Sequence, residues 1–145
     1  MPDTQTHQPQ VRTGTVTVAR RMRFSASHRL HSEDLDAEAN RRVYGKCNNP
    51  SGHGHDYEIE VEIEDGPGAN AALEAALNGS FEESVDHKHL NLDVEWLAEV
   101  IPTAELLAIR FWDYLEQELN PCRLKRLRLY EGPRNWVELP IPSRD

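Results

Sequence analysis

His55-Asp56-Tyr57-Glu58-Ile59-Glu60-Val61-Glu62-Ile63-Glu64 sets Tyr57, Ile59, Val61 and Ile63 between carboxylates at every second position. A two-residue period is the side-chain period of a β-strand, so one face of this segment suits a core and the other suits water. Residues 15–24 alternate in the same way, with Val16, Val18, Met22 and Phe24 on one face and Thr15, Thr17, Arg21 and Arg23 on the other. The acidic outer face of one segment and the basic outer face of the other favour antiparallel pairing, at about 0.2–1 kcal/mol per cross-strand pair. After Gly66-Pro67-Gly68, the residues Leu73, Leu77 and Phe81 recur every fourth position and mark one face of a helix. Pro102-Thr103 opens a second helix, whose stripe is Leu107, Phe111, Leu115 and Leu119 and which ends at Asn120-Pro121. Residues 123–130 and 136–139 read as two further strands. The order predicts an α+β domain, a four-stranded antiparallel sheet with two helices on one face.

The strand that starts at His55 is preceded by Gly45-Lys46-Cys47-Asn48-Asn49-Pro50-Ser51-Gly52-His53-Gly54. His53 and His55 share the parity of Tyr57 and Ile59, so they form the polar end of an apolar strand face. Continuing the first strand's parity through Ala26 brings His28 to the same face. Three imidazoles suffice for a catalytic Zn2+ that keeps one position open for water or substrate. His31 and His89 lie near these motifs, but a fourth histidine would close the site, and they are read as bystanders. Cys47, a lone cysteine beside histidines, reads as chemical, with a buried thiol or a metal ligand as its alternatives. Cys122 has no such neighbours and reads as inert. Residues 29–54 read as a long polar connection, and a loop of that length in a compact domain is usually functional.

The formal charge of −9, with 25 acidic residues against 16 Lys and Arg, argues against nucleic acid as a partner and for a small molecule. No apolar run approaches the roughly 20 residues of a membrane span, and the N-terminus lacks an apolar signal core, so no membrane association and a cytoplasmic location are expected. Residues 1–13 read as a mobile tail and 14–145 as a single domain.

Five separated motifs occur in one order: Phe24-Ser25-Ala26-Ser27-His28-Arg29-Leu30, the Cys47 to His55 segment, Asp86-His87-Lys88-His89-Leu90-Asn91, Pro102-Thr103-Ala104-Glu105, and Tyr130-Glu131. Together they resemble the 6-pyruvoyl-tetrahydropterin synthase family, which includes the 6-carboxy-tetrahydropterin synthases of queuosine biosynthesis. The resemblance implies the tunnelling fold, in which subunits associate through their sheets into barrels with sites at subunit boundaries, as a hexamer of two trimers. It implies a zinc-dependent lyase acting on 7,8-dihydroneopterin triphosphate with loss of triphosphate, giving a 6-pyruvoyl- or 6-carboxy-tetrahydropterin. The alternative is a pterin-binding or structural zinc protein without turnover.

By the same resemblance, His28, His53 and His55 look like the zinc ligands, Cys47 like the base, Asp86 and His87 like its proton relay, and Glu131 like the pterin anchor. Thr103 and Glu105 resemble a secondary pterin contact, although Thr103 is equally a natural N-cap and Glu105 a first-turn carboxylate stabilised by the helix dipole. Glu131 shares strand parity with Leu127 and Leu129 and is expected to face inward. Arg41, Arg42, Lys46 and Lys88 are cations near the motifs that could meet a triphosphate. The chain departs from the family pattern at Gly66-Pro67-Gly68-Ala69-Asn70, at Ala104 and at Gly132.

Overall fold

The computed structural model describes residues 16–140. The segment read as a tail, residues 1–13, lies outside the described residues. The sheet holds strands β1 (Thr17–His28), β2 (His53–Glu64), β3 (Lys88–His89), β4 (Leu124–Gly132) and β5 (Asn135–Leu139), in the order β3-β1-β2-β4-β5. β1 and β2 pair antiparallel over their full length, from Thr17 opposite Glu64 to His28 opposite His53. The expected charge match is present, since Arg21 donates to Glu60 at 2.7 Å and Arg23 approaches Glu58 at 3.8 Å. β4 extends the lattice with Arg126, which reaches Glu60, Glu62 and Glu138 at 2.7, 2.8 and 3.0 Å. That shielding lets Glu60 be buried on the otherwise wet face, because its charge stays paired.

The four-stranded expectation is corrected to five. The extra strand, β3, runs parallel to β1 through Ala26–Lys88 and Ser27–His89. Two residues cannot display a period, so nothing in the local pattern could mark β3 as a strand. The two expected helices are present, and a third joins them. The first expected helix runs as α2 (Ala69–Ala75), a π-helical turn (Ala76–Phe81) and α3 (Glu82–Val85), with Leu73, Leu77 and Phe81 fully buried. α4 (Ala104–Leu119) buries its predicted stripe Leu107, Phe111, Leu115 and Leu119. The connection at residues 29–54, read as loop, contains α1 (Ala37–Tyr44). It lacks an apolar stripe and rests on polar caps: Asp36 accepts from the Ala39 amide, and buried Asn40 bonds the Ser32 amide and the Ser32 and Leu35 carbonyls.

The core lies between the sheet and α2–α4. Phe111 sits at its centre with ring centroids 5.0 Å from Phe81, 6.0 Å from Phe24 and 5.9 Å from Trp96, each edge-on. Phe111→Ala is expected to cost about 3–5 kcal/mol through lost burial and the cavity left behind, read from urea unfolding midpoints. A loss below about 1 kcal/mol would show that the cluster is not the stabilising centre.

Candidate metal centre

The core face of the first two strands ends in polar residues at one edge. On β1, Phe24 and Ala26 are buried and His28 follows at the strand's end, fully buried. On β2, Tyr57 continues inward parity back to His55 and His53. Phe24 and Tyr57 stack at 5.0 Å and 9°, closing the apolar layer beneath the imidazoles. The Nε2 atoms of His28 and His53 are 2.9 Å apart, those of His53 and His55 3.1 Å, and the three ligand atoms all fall within 4.8 Å of one another.

His28 Nδ1 donates to the carbonyl of Pro102 at 2.9 Å, just before α4. That bond commits its one ring proton and leaves Nε2 as a bare acceptor aimed at the other two rings. Burial, with the neighbouring histidines, holds the His28 pKa down to about 4, so the ring is neutral near pH 7. Burial also lowers His55, although Glu131 pulls the other way. Neutral imidazoles converging through ring nitrogens are the donor set a divalent metal takes. Four-coordinate nitrogens at roughly 2.0–2.1 Å from an ion lie about 3.3–3.4 Å apart, close to the spacings here. The residues therefore fit a metal, and they leave one side open.

Backbone locking explains why His28 and its neighbour Arg29 sit where they do. Asn91 brackets Arg29, accepting from its amide and donating to its carbonyl, both at 2.8 Å. Asn48 donates to the Leu30 carbonyl at 2.8 Å, and the Leu30 amide donates to the Cys47 carbonyl at 2.8 Å. Gly52, at φ 71°, passes so close that a Cβ would lie 2.9 Å from the His28 carbonyl. Asn48, Asn91 and Gly52 are positioning residues that sequence reading did not single out. The only available signal was their place inside the motifs.

Glu131, on β4, brings Oε1 to 3.8 Å from His55 Nε2, inward as its parity predicts. No arginine pairs with it among the described residues. Cys47 lies outside the ligand cluster, close enough to Glu131 for their charges to interact. Burial, and then the Glu131 carboxylate, push its thiol up. A thiolate at Cys47 would therefore need a compensating positive charge nearby, which a cation on the triad would supply.

Asp86 and His87 do face each other, with His87 Nδ1 2.9 Å from Asp86 Oδ2. Asp86 also accepts from the Ser25 amide at 3.0 Å, and the Ser25 and His87 bonds hold its carboxyl below the ordinary range. Ser25 alternates with buried Phe24 and Ala26, and its hydroxyl bonds Asp56, so this part of β1 faces away from the core. Exposed His87 lines a separate hollow of about 500 Å³ with Ser25, Ser27 and Asp56, which also touches His55. No hydrogen bond or ion pair among the described residues joins the dyad to Cys47 within one chain. Thr103 caps α4 by accepting from the Leu106 amide at 3.3 Å, next to the Pro102 carbonyl that orients His28. Glu105 is exposed in the first turn of α4 and makes no hydrogen bond or ion pair among the described residues.

The structure is an α+β domain whose mostly antiparallel sheet ends in three convergent imidazoles able to hold one metal ion, with a thiol and a carboxylate nearby. The pattern of 6-pyruvoyl tetrahydropterin synthases matches residues 17–141. The 6-pyruvoyl tetrahydrobiopterin synthase of Homo sapiens is 41% identical over 127 residues, spanning 83% of this chain and 88% of that protein. That of Poecilia reticulata is 38% identical over 89% of this chain and 91% of its own. The solved structure of the Caenorhabditis elegans 6-pyruvoyl tetrahydropterin synthase superposes with a TM-score of 0.79 at 35% identity, covering 88% of this chain and 96% of that one. The chain belongs to the 6-pyruvoyl tetrahydropterin synthase family, and with it to the lyases. No helix among the described residues is long and apolar enough to cross a membrane.

Proposed function

We propose that the chain is a zinc-dependent 6-pyruvoyl-tetrahydropterin synthase, converting 7,8-dihydroneopterin triphosphate with loss of triphosphate. The observation that carries this reading is the convergence of His28, His53 and His55 with Glu131 at 3.8 Å, in a chain 41% identical to the human synthase. Zn2+ held by the three histidines would supply Lewis-acid stabilisation of oxyanion charge developing on the substrate's side-chain hydroxyls. Glu131 accepts the pterin's N3–H and exocyclic amine, two donors in a row that match one carboxylate. Cys47, as thiolate, removes a carbon-bound proton from the side chain. Asp86 orients His87 through Nδ1, so that His87 carries protons to and from the hydroxyls or ring. Thr103 and Glu105 stand at the opening of α4 as secondary ligand contacts.

Because no hydrogen bond or ion pair among the described residues joins Cys47 to the Asp86-His87 dyad in one chain, and His87 lines a hollow whose lining does not include Cys47, the proposed site is completed across a subunit boundary. The assembly is a barrel-forming hexamer of two trimers in the cytoplasm, whose sheet edges are paired rather than left open. The 6-pyruvoyl product is preferred over 6-carboxy because the relatives at 38–41% identity carry that name.

Incubation of the zinc-loaded protein with 7,8-dihydroneopterin triphosphate, followed by mass analysis, tests the reading. Retention of the three-carbon side chain with release of triphosphate is expected. Acetaldehyde and a 6-carboxy pterin would move the chain to the other product. Substrate binding without triphosphate release would make it a pterin-binding protein without turnover.

A further inference from the structure

Tyr57 counts in the strand pattern as one more apolar residue of β2, yet it carries a hydroxyl into the part of the core that lies under the imidazoles. The residue is fully buried, and its ring is fixed on three sides: stacked on Phe24 at 5.0 Å, edge-on to His55 at 5.6 Å and edge-on to His28 at 6.3 Å. A buried phenol needs a hydrogen-bond partner. Among the described residues the hydroxyl has one, Nδ1 of His28 at 3.3 Å. Neither the metal ligands, the thiol, the Asp86-His87 pair nor the Glu131 anchor accounts for that oxygen.

Two oxygens stand against the same ring nitrogen, the Pro102 carbonyl at 2.9 Å and the Tyr57 hydroxyl at 3.3 Å. They are not equivalent, because a carbonyl can only accept whereas a hydroxyl can accept or donate. If Tyr57 donated, Nδ1 would be bare, the ring proton would move to Nε2, and the carbonyl of buried Pro102 would lose its donor. An orphaned buried acceptor is costly. With the proton on Nδ1, both oxygens accept from it, the nearer one more strongly, and Nε2 stays bare toward the other two imidazoles. The hydroxyl keeps its own proton, since burial, and then the Glu131 and Cys47 charges, push the phenol's pKa up. We propose that Tyr57 is a positioning residue of the metal centre, whose hydroxyl oxygen joins the Pro102 carbonyl in holding the proton on His28 Nδ1 and so keeps Nε2 free to ligate. The inference rests on the reading of the triad as a metal site and on nothing about the pterin. Partners behind a ligating imidazole set its tautomer and ring orientation, and their loss costs about 10–100-fold in metal affinity.

The test sets zinc-loaded wild type, Tyr57→Phe and Phe24→Leu in competition with a chromophoric zinc chelator, and measures the urea midpoint of each. Tyr57→Phe deletes one oxygen and keeps the stack on Phe24, so its midpoint should stay near that of wild type while its zinc affinity falls about tenfold. Phe24→Leu breaks the stack and keeps the hydroxyl, so its midpoint should fall while its zinc affinity stays within about threefold of wild type. Zinc losses that track instability in both variants would make Tyr57 a packing residue and overturn the assignment. Turnover of Tyr57→Phe should return to within about threefold of wild type once excess zinc fills the site, because mass action offsets a weakened ligand set. Turnover that stays low at full occupancy would show that the hydroxyl acts on something other than His28, and would also overturn it. The competition contains no pterin, so it decides the matter even if the product assay fails. Wild type without zinc would remove the metal reading and Tyr57 with it, whereas equal zinc affinity in wild type and Tyr57→Phe would remove the Tyr57 assignment alone.

Discussion

His53→Ala is expected to abolish metal binding and turnover while leaving the fold intact. The Nε2 of His53 lies between those of His28 and His55, at 2.9 and 3.1 Å, so its removal takes away the middle donor of three. Two imidazoles then remain, too few for the three-nitrogen set. The loss in metal affinity should exceed the roughly 10–100-fold cost of removing a residue that only orients a ligand through a hydrogen bond. The fold is spared because His53 is the first residue of β2 and only partly buried, whereas the stabilising aromatic cluster of Phe24, Phe81 and Phe111 is elsewhere. His28 would be a poorer probe. It is fully buried and tied to Pro102, so its replacement would disturb packing and metal together. Metal analysis of the purified variant, circular dichroism and product formation read the three quantities separately. A variant with full zinc would remove His53 from the ligand set, and one that is unfolded would show that the imidazole is structural.

The parts of this architecture legible in sequence are those in which burial imposes a period. Tyr57, Ile59, Val61 and Ile63 are all fully buried, and so is the stripe Leu107, Phe111 and Leu115. The same parity carries His28, His53 and His55 to one face, which is why the convergence of the three histidines was legible in strand alternation. What escaped was held by polar bonds instead of apolar pattern. α1 stands on Asp36 and Asn40, β3 is two residues docked on β1, and Asn48 and Asn91 act on distant carbonyls. Such contacts join residues 18 and 62 positions apart and leave no local mark. The placement of Asp86-His87 was also beyond sequence. A dyad can be named from adjacent residues, but the side of the sheet it occupies depends on its bonds to Ser25.

That placement sets the second large expectation. Cys47→Ala and His87→Ala should each lower turnover by roughly 10²–10⁴, the usual contribution of a proton-transfer group. Each should keep its zinc, because neither residue belongs to the ligand cluster. Cys47 and Glu131 interact within one chain, and Glu131 approaches the triad at His55, whereas His87 lines the separate hollow and has no hydrogen bond or ion pair to Cys47 among the described residues. If one site draws its thiol and its histidine from different subunits, then mixing the two inactive variants creates some sites in which both groups are intact. With equal amounts and random assembly, about a quarter of the sites are whole, so activity should return to about that fraction of wild type. The control is a mixture of Cys47→Ala with Glu131→Ala. Both defects fall in the same chain's half of the site, every such site carries one of them, and activity should stay at the parental level. Subunits are exchanged by dilution and reconcentration, and assembly is followed by light scattering alongside the assay. No recovery in the first mixture despite proven exchange, or full activity in a monomer, would place thiol and relay in one chain and require His87 to swing across the sheet edge to reach the metal side.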